Sequence, residues 1–162
     1  TLAIDLAQHA GIAPAIVALR KVTGPLYGLF HAAGIVETVP LAANSPKIVQ
    51  QQLDINLLAG LELARAVCRR DVMTPDGGSL LFVASVYGHV GMPGQIGYCA
   101  TKGAILAAVR AMAIELARRA IRFLRPPNGA RISSATTNTY FPRNSRSSAS
   151  GPAIRSRPRG RP

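Results

Sequence analysis

Ser85, Tyr98 and Lys102 are the residues of this chain whose types and spacing point to chemistry. Tyrosine follows serine by thirteen positions, and lysine follows tyrosine by four, in the text VASVYGHVGMPGQIGYCATKGA. Positions i and i+4 of a helix share a face, one turn apart. A free phenol has a pKa of about 10 and is a slow proton donor at neutral pH. An ammonium at ~5 Å, with an effective dielectric near 20, favours the phenolate by about 3 kcal/mol. That brings a phenol towards the range useful for acid–base work. Ser85 offers a hydroxyl to hold a carbonyl or alcohol oxygen. The trio suits proton transfer to a carbonyl oxygen while a hydride arrives at carbon. None of the three can donate a hydride, so this chemistry requires a nicotinamide cofactor.

The elements that position them are legible from pattern. SLLFVAS (79–85) is apolar enough for a strand of a parallel sheet buried on both faces. Gly88, Gly91, Pro93, Gly94 and Gly97 mark a loop, and YCATKGAILAAVRAMAIELARRA reads as a long helix from about Tyr98. Serine then ends a strand and faces a tyrosine–lysine pair on the next helix, the place where open α/β sheets bind ligands. Upstream, residues 13–22 read as an amphipathic helix ending at Thr23-Gly24-Pro25, and 26–33 as a second buried strand. Residues 35–46 form a loop, and a long helix runs from about Pro46 to Arg70 with apolar residues at three- and four-residue steps. Two strands, at 26–33 and 79–85, are read from this pattern. A strand edge without its neighbour is an aggregation hazard, so the chain is expected to be poorly stable alone.

These segments resemble the short-chain dehydrogenase/reductase family, in particular its 3-oxoacyl-acyl-carrier-protein reductases, over roughly Asp5 to Arg122. The family spacing is met by Ser85, then Tyr98-Cys99-Ala100-Thr101-Lys102. LFHAAGI (29–35) resembles the family's Asn-Asn-Ala-Gly segment, with His31-Ala32 in place of the asparagines. DINLLAGLELARAV (54–67) resembles the helix whose asparagine, here Asn56, joins the catalytic set. Asp5-Leu6 matches the pair that ends the third strand beside the adenine ring. The resemblance implies an NAD- or NADP-dependent oxidoreductase acting on a carbonyl or hydroxyl group. In it Tyr98 is general acid/base, Lys102 holds the nicotinamide ribose, Ser85 orients the substrate and Asn56 positions a water in a proton relay. Asp5, Leu6, His31, Ala32, Ala33 and Gly34 would line the cofactor together with Tyr98 and Lys102. A small-molecule substrate, possible linkage to an acyl carrier, and pairing of identical copies through the two long helices also follow from the resemblance.

The fold class expected is a partial Rossmann-like α/β domain, a doubly wound parallel sheet lacking its first strands, over residues 1–122. No Gly-x-x-x-Gly-x-Gly turn is present to hold a pyrophosphate at a helix N-terminus. The chain therefore reads as a fragment begun late, and an inactive remnant unable to bind the dinucleotide is the alternative function. Residues 121–162 hold nine arginines and no acidic residue, amid Pro, Ser, Gly, Asn and Thr. A tail over 123–162 of that composition should be disordered. A shifted reading frame explains it best, ahead of an ordinary linker and of a nucleic-acid-binding arm. Little aromatic residue is interleaved with the arginines.

The net charge of +12 does not describe the domain. Residues 1–120 carry ten Lys/Arg and seven Asp/Glu, a balance of only +3, which argues against a basic binding surface. Cys68 and Cys99 make no disulfide framework or metal motif, and no metal site is expected. With no signal-peptide pattern at residue 1 and with Arg110 and Glu115 inside the most apolar helix, the expectation is a cytoplasmic chain with no membrane span.

Overall fold

The computed structural model describes residues 1–123. In order, α1 spans His9–Thr23, β1 Gly28–His31, α2 Pro46–Leu53, α3 Ala59–Val67, β2 Gly78–Phe82, α4 Ile96–Leu116 and β3 Ile121–Phe123. A π-helical turn, Asp54–Leu58, joins α2 to α3. The tail expected over 123–162 lies outside the described residues, apart from Phe123.

The three strands form one parallel sheet in the order β1-β2-β3. Register places Leu29 beside Leu80 and His31 beside Phe82, with Phe123 on the other side of Leu80. Alternation then sends Leu29, Leu80, Phe82, Ile121 and Phe123 to one face. That face packs on Ile12 and Ile16 of α1, on Leu63, Ala64 and Val67 of α3, and on Met112 and Leu116 of α4. Leu80 and Ile12 are fully buried. Burying such a side chain contributes about 1.5–3 kcal/mol. Phe30, on the opposite face, remains 64% exposed.

Two expectations are corrected. The strand expected to end at Asp5-Leu6 is not formed: residues 1–5 carry no strand, and a turn closes from Gln8 N–H to Asp5 O at 3.1 Å. A strand exists only through a ladder, and no described strand lies beside this segment. Conversely, the chain has three described strands, not two. Ile121–Phe123 looks too short to register as a period, yet its backbone completes the free side of β2. The left-handed residue Ala120 (φ 53°) turns the chain from the end of the α4 helical run into it.

Local signals explain the rest. Ser45 caps α2, accepting from Ile48 N–H at 3.4 Å, and Pro46 occupies the first turn, where its missing N–H is harmless. α1 begins at His9, four residues before the expected start at 13, with Pro14 inside it. His9 Nε2 donates to Asp54 O at 3.0 Å and so ties the start of α1 to the π turn. The expected helix over 46–70 is interrupted at that turn, a deviation that commonly marks a functional position in a helix.

Candidate active site

Both β1 and β2 run their C-terminal ends towards the same region: β1 into the turn 32–35, β2 into Val83–Ser85. α4 begins beside them with Tyr98 and Lys102 in its first two turns. Two glycines allow the close approach. A Cβ on Gly88 would lie 2.8 Å from the Lys102 carbonyl carbon, and one on Gly103 would lie 3.3 Å from Gly88 O. The short turn after Ser85 therefore docks directly on the α4 backbone at Lys102. The Ser85 side chain caps that turn, accepting from Tyr87 N–H at 3.2 Å.

Lys102 is 4% exposed, and its Nζ lies 5.6 Å from the centre of the Tyr98 ring. The ammonium donates to Val83 O at 2.8 Å, at the end of β2. Burial pushes its pKa below the ordinary lysine value. A Lys Nζ carries three donors; with one spent on Val83 the others remain to hold a hydroxyl.

Asn56 is fully buried in the π turn. Its Oδ1 accepts from Ile35 N–H at 2.7 Å, and its Nδ2 donates to Ile35 O at 2.8 Å and to Thr101 Oγ1 at 3.1 Å. Thr101 donates in turn to Tyr98 O at 2.8 Å. One amide thus ties the 32–35 turn to the α4 turn that carries Tyr98. Gly34 sits where these groups converge: a Cβ there would stand 3.3 Å from Asn56 Oδ1 and 3.5 Å from Lys102 Nζ. Gly34 and Ala32 are exposed, so the backbone of this turn is open to a ligand beside the lysine.

His31 is buried under the same site. It meets Phe82 edge-on, ring centres 5.6 Å apart, and packs on Gly60, where a Cβ would come within 2.7 Å of its Cδ2. Its Nε2 faces Asn56 O at 3.4 Å; a carbonyl only accepts, so that nitrogen carries the proton. Burial lowers its pKa, the Asn56 carbonyl opposes that, and the Lys102 charge adds to the lowering. His9 and His31 thus bond two carbonyls of the π turn.

Of the residues singled out in sequence, Tyr98, Lys102, Asn56, Gly34 and the His31–Ala33 segment come together, with Ser85 on the adjoining turn. Asp5 is exposed, its Oδ1 accepting from Ala7 N–H at 2.9 Å, and Leu6 packs against the core. Sequence reasoning missed Thr101 and the Val83 carbonyl. Thr101 stood between Tyr98 and Lys102, but a threonine in a helix carries no signal of a tertiary amide partner. Among the described residues no group of His, Cys, Asp or Glu could hold a metal ion, and no helix is long and apolar enough to cross a membrane.

A parallel α/β sheet with polar side chains gathered at the carboxyl ends of its strands defines a Rossmann-like fold of the kind that binds nucleotides at that edge. The sequence model of the short chain dehydrogenase family matches residues 1–129, and the chain belongs to that family. It is 34% identical to the 3-oxoacyl-[acyl-carrier-protein] reductase of Rattus norvegicus over 73% of this chain and 49% of the relative. It is 30% identical to the inactive 2-(S)-hydroxypropyl-CoM dehydrogenase 2 of Xanthobacter autotrophicus, over 73% of this chain and 51% of that protein. Among solved structures, the gluconate 5-dehydrogenase of Burkholderia cenocepacia, determined with NADP and tartrate, superposes with a TM-score of 0.68 at 29% identity, over 74% of this chain and 46% of the other. The chain spans about half the length of the curated relatives it matches.

Proposed function

We propose that this chain carries the acid–base half of an NAD(P)-dependent oxidoreductase that interconverts a carbonyl and a hydroxyl on a small-molecule substrate. The observation that supports this most is the buried Lys102 ammonium 5.6 Å from the Tyr98 ring, braced by Val83 O and facing the exposed Gly34 turn. Tyr98 is the proton donor and acceptor at the substrate oxygen. Lys102 supplies positive charge beside the phenol and, through its remaining donors, holds the nicotinamide ribose. Ser85 holds the substrate oxygen. Asn56 fixes the turn against which the cofactor lies and links it to the Tyr98 turn. When bound, NAD(P)H supplies the hydride that no side chain can supply. The open Gly34 backbone and the remaining Lys102 donors fit such a group, and Asp5 and Leu6 have the position in sequence for its adenine end. Acyl-carrier-linked substrates and pairing of copies are extensions suggested by the relatives.

The test is titration of the purified chain with NADH and NADPH by fluorescence, followed by turnover of carbonyl substrates. Saturable binding in the micromolar range, with turnover falling by about 10²–10⁴ in Tyr98→Phe, is expected. Absence of binding at millimolar cofactor refutes the reading and leaves the inactive alternative.

A further inference from the structure

α4 begins without a cap of its own. Gln95, the flanking residue, makes no side-chain hydrogen bond to the helix. Its Nε2 donates to Thr38 Oγ1 at 3.4 Å, and its Oε1 is buried without a partner. The first bond of the helical pattern runs from Cys99 N–H to Gln95 O at 2.8 Å. The N–H groups of Ile96, Gly97 and Tyr98 therefore have no acceptor within the helix.

Against this end of α4 lies Gln52, from the last turn of α2. It is 1% exposed, and neither its Oε1 nor its Nε2 has a hydrogen-bond partner. A buried amide left so is destabilising. The amide lies beside the first turn of α4: a Cβ on Gly97 would stand 2.7 Å from Gln52 Nε2 and 3.7 Å from Oε1. A donor nitrogen thus lies beside the first turn of a helix whose first three N–H groups need acceptors. Turning the amide by half a revolution exchanges oxygen and nitrogen with no change in shape. It places the carbonyl oxygen at the helix N-terminus, where the peptide dipoles favour negative charge.

We propose that Gln52 is the N-terminal cap of α4, supplied by α2 instead of by the chain preceding the helix, and that it is a positioning residue for Tyr98. Gln52 and Asn56 are one helical turn apart, and so are their counterparts on α4, Gly97 and Thr101. The Asn56–Thr101 bond and the Gln52–Gly97 approach form two successive rungs, and Tyr98 lies between them. Glycine at position 97 is what lets the amide come so near. The cap stands on its own geometry; the positioning role rests on the reading of Tyr98 as acid/base.

The experiment follows amide hydrogen exchange at Gly97 and Tyr98 by NMR in the full chain, with Gln52→Met and Gln52→Glu. Met keeps the length and removes the acceptor; Glu keeps an acceptor. Exchange at the two amides should rise about tenfold in Gln52→Met, the loss of about 1.4 kcal/mol of hydrogen bonding. Gln52→Glu should restore it, with its new carboxyl titrating below the ordinary glutamate value of about 4.3. In turnover, Gln52→Met should lower kcat with KM unchanged and Gln52→Glu should recover it. Unchanged exchange in Gln52→Met, or a carboxyl titrating above the ordinary range because no donors meet it, overturns the cap. Should Gln52→Met fail to fold, that titration decides alone. Full turnover in Tyr98→Phe would remove the catalytic reading while leaving the exchange result to judge the cap.

Discussion

Replacing Asn56 by leucine removes three hydrogen bonds while keeping the branched shape of the side chain. The wild-type amide bonds Ile35 N–H, Ile35 O and Thr101 Oγ1 at 2.7, 2.8 and 3.1 Å from a fully buried position. Each such bond contributes a net ~0.5–1.5 kcal/mol, so the loss is about 3 kcal/mol. Thr101 retains its bond to Tyr98 O and is harmed least. Both backbone groups of Ile35 lose their partner. Urea unfolding followed by circular dichroism reads the effect: with m near ~1.5 kcal/mol/M, the midpoint should fall by about 2 M. Exchange at the Ile35 amide should rise in the same variant. Asn56→Asp separates the bonds: the protonated carboxyl at low pH can accept from Ile35 N–H and donate to Ile35 O, whereas near neutral pH the fully buried carboxylate repels Ile35 O, and its loss should be at least that of leucine. A midpoint shift under about 0.5 M for Asn56→Leu, with m unchanged, would refute the argument that this amide ties the 32–35 turn to α4.

Gly60→Ala places a methyl 2.7 Å from the His31 ring and 3.0 Å from Phe82, and thermal melts should show a loss of about 1–3 kcal/mol. His31 has a pKa lowered by burial, so the unfolded chain binds the extra proton first. Stability should therefore rise with pH from the lowered folded value up to about 6.5, then level off, and His31→Gln should flatten that slope in urea titrations across this window. Lys102→Met removes a desolvated ammonium and should abolish turnover by more than about 10²-fold while leaving the fold intact by circular dichroism. Loss of helix signal in that variant would instead make the Val83 bond a structural necessity.

The candidate catalytic set was legible because it is local. Ser85 follows an apolar strand, three residues beyond the end of β2, and Tyr98 and Lys102 stand one helical turn apart; the strand and helix patterns bring all three to notice from the chain alone. Asn56 was visible as an amide inside an apolar helix, but not the π turn that aims it. That turn depends on partners far off in sequence: His9 and His31 supply donors to its carbonyls, and Ile35 supplies both groups that Asn56 grips. β3 escaped notice because three residues are too few to show a period, and only the free side of β2 makes them a strand. Asp5-Leu6 erred the other way, since a strand-like text without a neighbouring strand folds as a turn. By itself the sequence determined the family, most of the elements and which residues could do chemistry, all set by spacing along one chain. Only the tertiary structure decided how the amides Asn56 and Gln52 meet α4, because a buried polar group takes its partner from whichever backbone the packing brings against it.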